Sequence, residues 1–315
     1  MFRQMLAEFR TLSPQNQQDA IDLLNRTSAD TSLKYDLDIF GFRWLARYWN
    51  FSYEHSLILY VDGEPAAVML NSIQPETQDA YTFYWGALPR FRSQRFAISL
   101  FEAGCRKLHQ DGYTTQFAVA LPDRPVRRYR FVQLTPECEL VDLHADSLSL
   151  PASDPRFLVR EVDANDLPEQ AFLPGEYQHW CQRPVFLRRA APFLKFFAAL
   201  AGEQIQAYAT VLSQFPSMTL SDVRSPQHCS AAGFELLRAL IAQDYYRPPL
   251  NVAYVFENSY AYRLLTAAGF AVKRRFSVLR RDLRTTCETN QQGPRIIRSQ
   301  SEPAPVEQSS PKVAS

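Results

Sequence analysis

The segment that decides the fold is Leu88-Pro89-Arg90-Phe91-Arg92-Ser93-Gln94-Arg95-Phe96-Ala97. It follows an aromatic run, Tyr81 to Leu88, which predicts a strand that Pro89 ends. It precedes a helix predicted from about Ala97 to His109, whose apolar residues fall on one face. A helix that begins after such a loop presents unpaired backbone N–H groups and the positive end of its dipole.

This loop therefore predicts an anion site, for which pyrophosphate is the usual ligand. Arg92 and Arg95 would add positive charge to the site. The residues alone leave an alternative open, in which the loop is merely basic and only caps the helix.

Working outward from the loop, the first half of the chain predicts a mixed α/β unit. A helix start at Ser13 to Gln18 and an amphipathic segment at Asp38 to Trp49 predict two helices. Asp62-Gly63 between two apolar runs predicts a tight hairpin. Gln116 to Leu121 predicts a further strand. The predicted order is helix, helix, strand, strand, strand, loop, helix, strand.

The second half repeats this order at an offset of roughly 135 residues, although its sequence is different. The 315 residues are also about twice the usual length of one domain. We therefore expect two domains, residues 1–143 and 157–283, with a linker at 144–156 and a disordered tail at 284–315. In the second half, strands are predicted at Phe157 to Val162, Ile205 to Leu212, Met218 to Val223, Leu250 to Phe256 and Phe276 to Leu279, and helices at Ala191 to Ala201, Ser230 to Tyr245 and Ser259 to Ala268.

Composition excludes several classes of function. The formal net charge is +1, so no overall field draws the protein to nucleic acid or to an anionic membrane. The 5 cysteines and 5 histidines show no metal or redox spacing, which predicts reduced thiols and no metal site. The N-terminus lacks the apolar run of a signal peptide, and no stretch approaches the ~20 residues of a membrane span. We expect a cytoplasmic protein.

The decisive segment resembles the V-x-P-x-[YF]-[RQ]-x-x-G-x-[GA] pattern of the GNAT superfamily of acyl-CoA N-acyltransferases. Its proline, aromatic residue, arginine, glutamine and final small residue match, and the departure is Arg95 where the family has glycine. Arg95 could obstruct CoA or pair with a phosphate, and we favour binding. The resemblance implies that backbone amides of this loop hold the CoA pyrophosphate and that the cofactor-binding residues are Leu88, Arg92, Ser93, Gln94, Arg95, Phe96 and Ala97.

A second motif lies near the end of the chain and resembles the family's N-x-x-A…Y…G-F ending. Asn258, Ala261, Gly269 and Phe270 match it, but Leu265 replaces the tyrosine that often protonates the departing thiolate. Plain core packing is the alternative for these residues. The loop of this half, Gln227 to Ala232, is degenerate, so the resemblance favours CoA binding in the first half.

In the first half, Tyr129 is the nearest candidate for the general-acid tyrosine that the resemblance implies. A base must also take a proton from the acceptor, and nothing in the sequence selects one of the candidates Glu54, His55, Asp79 and Asp123. Four arginines beside Tyr129 could contact the CoA 3′-phosphate or form a solvated surface: Arg124, Arg127, Arg128 and Arg130.

The resemblance implies an α/β fold of two tandem GNAT-like domains, each a mixed, mostly antiparallel sheet flanked by helices. It implies direct transfer of an acetyl group from acetyl-CoA to an amine of a small molecule or peptide. The acceptor cleft would lie at the second helix and the domain junction, where Phe40, Trp44 and Tyr48 either line it or belong to the core. The alternatives are a non-catalytic CoA-binding or metabolite-binding protein and an aminoacyl-tRNA-dependent transferase, against which the neutral charge argues.

Overall fold

The computed structural model describes residues 6–120, 126–167, 178–212, 219–225, 230–242 and 249–285. Within them the strands are β1 (Ala7–Thr11), β2 (Leu57–Val61), β3 (Glu64–Gln74), β4 (Asp79–Ala87), β5 (Thr115–Ala120), β6 (Thr135–Ala145), β7 (Leu158–Val162), β8 (Leu194–Ala201), β9 (Gln204–Leu212), β10 (Thr219–Arg224), β11 (Leu250–Phe256) and β12 (Ala271–Asp282). The α-helices are α1 (Gln17–Ser28), α2 (Ile39–Trp49), α3 (Phe96–Gln110), α4 (Pro184–Ala190), α5 (Ser230–Ala242) and α6 (Tyr260–Ala267).

The strands form one sheet in the order β1-β2-β3-β4-β5-β12-β6-β11-β10-β9-β8-β7. Its neighbours are antiparallel except for the parallel pairs β4–β5 and β10–β11. The predicted α/β class with a mostly antiparallel sheet is therefore confirmed. The two halves exchange their last strands, because β12 pairs with β5 of the first half and β6 pairs with β11 of the second.

The helices cover both faces of this sheet. α1 and α2 pack on one face of the first half and α3 packs on the other, each burying an apolar stripe. α5 and α6 cover the second half. The face under α1 and α2 continues across the junction as an aromatic core that includes Trp49, Tyr81 and Phe186. One core therefore joins the two halves.

Several local predictions are confirmed by the backbone. Asp62 and Gly63 form the β2–β3 turn with φ of 50° and 84°. Gly269 follows α6 with φ of 99°, as expected of a glycine that ends a helix. The second-half helices and strands stand at the predicted order and places, with the exceptions below.

Other local predictions are wrong. Ala191 to Ala201 was expected to form a helix, but Leu194–Ala201 is strand β8, which lies between β7 and β9. α1 begins at Gln17 after an Asn16 cap, later than the Ser13 start predicted. β1, α4 and β6 were not predicted. β6 extends to Ala145, the second residue of the predicted linker.

The predicted tail, 284–315, stays a prediction, because all but its first two residues lie outside the described residues.

Candidate functional site

The β4–β5 pair opens partway along its length. The two strands pair in parallel from Asp79 with Thr115 to Thr82 with Ala118, and their pairing stops there although β4 continues to Ala87. On its other edge β4 carries one extra residue, Phe83, between its pairs with β3. Such a bulge bends and twists a strand. The bulge therefore coincides with the point where β4 leaves β5, and we call the gap beyond it the first opening.

A cavity of about 320 Å³ occupies the first opening. The facing edges of β4 beyond Thr82 and of β5 beyond Ala118 have no strand partner within the described residues. Their backbone polar groups can therefore pair with an extended ligand that carries amides. The cavity is lined by the β4 residues Thr82, Phe83, Tyr84, Trp85, Gly86 and Ala87, by Ala118 and Val119 of β5, and by Thr27, Thr31, Arg92, Ala97, Ile98 and Tyr129.

A buried chain of hydrogen bonds fixes the vertex of the first opening. Gln116 Nε2 on β5 donates to Thr82 Oγ1 on β4 at 2.7 Å. The Thr82 hydroxyl donates to Asn71 Oδ1 at 2.9 Å, and the Cys105 thiol donates to Gln116 Oε1 at 2.8 Å. These side chains tie β3, β4, β5 and α3 together where the strands diverge. Sequence reasoning did not find Thr82 or Gln116, although polar residues in otherwise apolar strands were a signal.

The predicted pyrophosphate loop stands at the mouth of the first opening. Pro89–Gln94 form a short 3₁₀ helix, and α3 begins at Phe96. Between them the exposed Arg95 has φ of 58° and ψ of 17°, the left-handed conformation that favours glycine. The position at which the family pattern has glycine thus keeps the glycine conformation while carrying an arginine.

The other predicted cofactor-binding residues separate into three pairs. Arg92 and Ala97 line the cavity, whereas Leu88 and Phe96 are buried in the core. Ser93 and Gln94 belong to the 3₁₀ helix, which brings their backbone to the start of α3. Their role in binding pyrophosphate stays a prediction.

Arg92 is held by neighbouring groups at the rim of the cavity. Its Nη2 donates to Asp30 Oδ1 at 2.9 Å and its Nε donates to the carbonyl of Ala87 at 3.1 Å. The hydrogen bond to Asp30 raises the pKa of the guanidinium. Arg92 therefore ties the loop to the segment after α1, and its contact with phosphate stays a prediction.

Tyr129 lies in a 3₁₀ helix, Val126–Val132, on the wall of the cavity. Its ring centroid is 6.1 Å from that of Trp85, whose Nε1 donates to the carbonyl of Ala97 at 2.6 Å. The predicted general acid thus stands beside the first turn of α3. Of the neighbouring arginines, Arg130 is exposed, Arg124 lies outside the described residues, and the side chains of Arg127 and Arg128 are not described.

The described candidates for the general base lie away from the cavity. His55 Nε2 bonds Asp111 at 3.0 Å, and Glu54 contacts Lys107 at 3.3 Å. Asp79 accepts from Arg183. None of the three candidates lines the cavity, and the fourth, Asp123, lies outside the described residues.

The second half contains the same kind of opening. Among the residues that the structure describes, β10 and β11 pair in parallel at two positions, ending at Leu220 with Val252. The β9–β10 register then shifts at Ser221. We call the gap beyond this point the second opening. It is a second copy of the divergence of β4 from β5.

Side chains fill the second opening. Arg224 Nε forms an ion pair with Asp222 at 3.0 Å, and both side chains are at most 3% exposed. Tyr254, with φ of 58°, stacks on His179 with ring centroids 4.4 Å apart. Burial lowers the pKa of His179 to about 3, so its ring is neutral. The Ser221 hydroxyl bonds that of Tyr48 at 3.3 Å.

The second family motif contributes to the core of its half. Ala261, Leu265 and Phe270 are buried among residues of β11, α5 and α6. Half of the degenerate loop, residues 227–229, lies outside the described residues, and its other half is the start of α5. Of the residues considered for an acceptor cleft, Tyr48 is in the core and Trp44 packs against it, whereas Phe40 is 74% exposed.

The described part of the chain shows neither a metal-binding cluster nor a membrane-spanning helix. No three His, Cys, Asp or Glu side chains there are placed so that they could hold a metal ion. None of the helices described there is long and apolar enough to cross a membrane.

No family model matches the sequence, and no curated protein matches it. Solved structures do match. A GCN5-related N-acetyltransferase from Sphaerobacter thermophilus superposes with a TM-score of 0.63 at 12% identity, covering 89% of this chain and 96% of that one. A tandem GNAT protein from the clavulanic acid biosynthesis pathway gives 0.61 at 12% identity, covering 88% and 99%. A GCN5-related N-acetyltransferase from Anabaena variabilis gives 0.58 at 12% identity, covering 88% and 73%.

At these identities the likeness concerns the fold alone. Over 88–89% of its length the chain has the fold of these GNAT proteins, one of them tandem, as the resemblance of its motifs implied.

Proposed function

We propose that the first half binds an acyl-CoA and transfers its acyl group, acetyl in the simplest case, to an amine. The observation that carries the proposal is the first opening, where β4 leaves β5 at a bulge and a cavity of about 320 Å³ leads to the start of α3. The matching structures support the proposal. Two of them are named N-acetyltransferases, and the name of the tandem GNAT protein refers to AcCoA, which that structure lacks.

Different residues of the first opening can bind the pyrophosphate, the pantetheine arm and the acyl end of the cofactor. The N–H groups at the start of α3 and the charges of Arg92 and Arg95 suit the pyrophosphate. The unpaired edge of β4 suits the two amides of the pantetheine arm, which would lie there as an added strand. The vertex held by Thr82 and Gln116 limits how deeply the acyl end can enter.

Transfer needs no covalent enzyme intermediate. The acceptor nitrogen attacks the thioester carbonyl carbon, an N–C bond forms, and the C–S bond breaks. The amine proton goes to a base or to water, and the departing thiolate takes a proton from a general acid. Tyr129 is our candidate for that acid, because its side chain lies on the cavity wall beside Trp85.

We place the reaction in the cytoplasm and divide the chain as predicted from the sequence, into residues 1–143 and 157–283. The described cysteines, Cys105, Cys138 and Cys181, are unpaired, as suits a reducing compartment. The segment between the halves lies against α5, where Asp154 N donates to Glu235 Oε1 at 2.9 Å.

Calorimetric titration with acetyl-CoA tests the binding step. Wild-type protein should bind at one site per chain, and Arg92→Glu should abolish binding because it reverses the charge at the rim and separates it from Asp30. Arg90→Glu is the matched control, since Arg90 is in the same loop but pairs with Glu64 away from the cavity. Equal affinity for acetyl-CoA in all three proteins would show that this loop does not bind the cofactor.

Steady-state transfer to a panel of amines tests the chemical step. Tyr129→Phe should lower kcat by about 100-fold, the usual contribution of a general acid, and leave acetyl-CoA affinity unchanged. An unchanged kcat would show that another group protonates the thiolate.

The second candidate is a CoA-binding protein without turnover. It is favoured by Arg95, which replaces glycine at the point nearest the expected pyrophosphate. Tight acetyl-CoA binding with no transfer to any amine would select this candidate.

A further inference from the structure

Strand β1 forms one edge of the 12-stranded sheet, with β2 on one side and no strand on the other among the described residues. Two hydrogen bonds show which of its backbone groups face β2. Asp62 N donates to the Leu6 carbonyl and Leu12 N donates to the Ser56 carbonyl, both at 2.8 Å. Backbone groups alternate in direction along an antiparallel strand, so the even-numbered residues of β1 bond to β2.

The backbone groups of Ala7, Phe9 and Thr11 therefore point away from β2. Asn16 Nδ2 donates to the Thr11 carbonyl at 2.9 Å. Within the described residues, the N–H groups of all three outward residues and the carbonyls of Ala7 and Phe9 have no hydrogen-bond partner. An edge with such groups can pair with a strand of another chain.

Two opposite charges stand on this edge, two residues apart. Glu8 and Arg10 lie on the same face of β1, because side chains alternate between faces. Arg10 donates to Glu8 at 2.6 and 2.8 Å, and the two side chains are 48% and 51% exposed. Leu6 lies on the same face and is 72% exposed. The edge thus presents both signs of charge beside an exposed apolar side chain.

The two charges select one register for a pair of antiparallel β1 strands. When Phe9 lies opposite Phe9 of a second copy, Glu8 of each copy lies opposite Arg10 of the other. Pairing centred on Glu8 or on Arg10 instead places like charges opposite each other, which is destabilising. The opposite charges in the favoured register form a pair of the non-hydrogen-bonded kind, in which side chains are closest.

The same register satisfies the outward backbone groups. The N–H and carbonyl of Phe9 bond those of Phe9 in the second copy, and Thr11 N–H donates to the Ala7 carbonyl on each side. The register also places the exposed Leu6 opposite Leu12 of the second copy. Charge, backbone and apolar contact therefore agree on one arrangement.

Strand β7, at the other edge of the sheet, differs in this respect. Its charged residues, Arg160 and Glu161, are neighbours, so their side chains point to opposite faces. An antiparallel pair of β7 strands centred on either residue places that residue opposite itself. Charges of this kind keep an edge strand from pairing with another chain, whereas the charges of β1 favour a second β1.

We propose that β1 is a dimerisation edge, which pairs in antiparallel orientation with β1 of a second copy of this chain about Phe9. The contact is the same on both copies, as a two-fold axis requires. β2 and β3 separate β1 from β4, so the dimer leaves the first opening accessible and does not depend on acyl-CoA. With five residues in each strand the interface is small, which gives an expected Kd of about 1–100 μM.

Sedimentation velocity over a range of protein concentrations tests the proposal. Wild-type protein should change from a single chain to a dimer as its concentration rises. Glu8→Arg and Arg10→Glu each place like charges at both cross-strand contacts, so each should raise the Kd at least about tenfold. Arg160→Glu reverses a charge on the other edge strand and is the matched control, which should leave the Kd unchanged.

Mixing the two variants gives the sharpest result. Edges with two arginines in Glu8→Arg and two glutamates in Arg10→Glu complement each other in the proposed register. An equimolar mixture should therefore form a dimer at concentrations where each variant alone stays single. The double variant Glu8→Arg/Arg10→Glu should also recover the dimer, because it restores opposite charges at both contacts.

Thr11→Pro tests the backbone bonds. It removes an N–H that points away from β2, and proline is tolerated on an edge strand at such a position, so the variant should keep its melting temperature and lose the dimer. Thr11→Val keeps the N–H and is the matched control, with an unchanged Kd. If Thr11→Pro does not fold, the mixture of charge variants still decides.

Two results would overturn the proposal. One is wild-type protein that stays single at every concentration up to about 500 μM, well above the expected Kd. The other is a dimer that survives both charge reversals, or that the mixture fails to recover, since such a dimer forms through another surface. Neither result bears on acetyl-CoA binding.

Discussion

The two halves of the chain make the same opening and complete it in different ways. In each half a parallel strand pair ends at a bulge, at Phe83 in β4 and at Ser221 in β10. The first opening holds a cavity of about 320 Å³, whereas the Arg224–Asp222 pair and the Tyr254 ring fill the second. The fold thus supplies an opening twice, and the side chains decide which opening can receive a ligand.

Small residues keep the first opening clear. A Cβ added to Gly86 would lie 3.0 Å from the Tyr84 ring and 3.2 Å from the Thr27 hydroxyl, both on the cavity wall. Ala97 and Ala118 also line the cavity. In the second opening the corresponding space holds long side chains from β10 and β11, so a cofactor would have to displace a buried ion pair.

The largest expected effect is at that ion pair. Arg224→Met leaves the charge of Asp222 buried without its partner, which should lower the free energy of unfolding by about 3–5 kcal/mol. Arg92→Met in the first opening is the comparison. Its pair with Asp30 is 32% and 52% exposed, so the loss should stay below about 1 kcal/mol. Denaturant unfolding measures both.

A double variant separates charge burial from packing. Asp222→Asn combined with Arg224→Met removes both charges and should recover part of the stability lost by Arg224→Met alone. If the double variant is no more stable than the single one, the Arg224 and Asp222 side chains stabilise the second opening through their packing and not through their charges.

The next effect concerns the space in each opening. Val119→Trp places a large ring in the first cavity and should weaken acetyl-CoA binding by about 100-fold, with little change in melting temperature, because there is room for the ring. Ser221→Trp should instead lower the stability of the protein and leave acetyl-CoA binding unchanged. Ser221 is 6% exposed in a filled site, so overpacking should cost about 1–3 kcal/mol of stability and leave affinity unchanged.

Calorimetry and thermal melting on both variants check this contrast. Weaker acetyl-CoA binding in Ser221→Trp at a temperature where it is folded would show that the second opening also takes part in binding. An unchanged affinity in Val119→Trp would show that the cofactor lies outside the first cavity.

Local sequence signals were enough for much of the first opening. The strand, Pro89, the loop and α3 were all predicted, since each depends on neighbouring residues. β8 was mistaken for a helix because an uninterrupted apolar run has no period to separate a buried strand from a buried helix. The exchange of β6 and β12 depends on residues more than 100 positions apart, which no local pattern encodes.

The residues that distinguish the openings were harder to predict. Tyr129 was chosen as the tyrosine nearest to the family's position, one residue off its spacing, and it does line the cavity. Thr82 and Gln116, in contrast, meet only after β4 and β5 are side by side. Likewise, the sequence does not show that Arg224 and Asp222 face a filled site. Whether an arginine forms an ion pair with a carboxylate, as Arg92 does with Asp30, depends on the tertiary structure.

The smallest expected effect is at the left-handed residue before α3. Arg95→Gly relieves the cost of a side chain at φ of 58° and should stabilise the protein by about 0.5–1 kcal/mol. It should also weaken acetyl-CoA binding a few-fold, because a charge near the pyrophosphate is lost. Tyr254, the left-handed residue of the second opening, offers no such gain, since its ring packs on His179 and Phe276.

Arg95→Ala is the control that separates backbone from charge. It keeps the unfavourable φ and removes the guanidinium, so it should reproduce the loss of affinity without the gain in stability. Thermal melting and calorimetric titration of the two variants give both quantities. Tighter acetyl-CoA binding in both variants would show that the Arg95 side chain obstructs the first opening. The two openings would then differ in degree of closure, with the first partly closed by one exposed arginine and the second occupied by a buried ion pair.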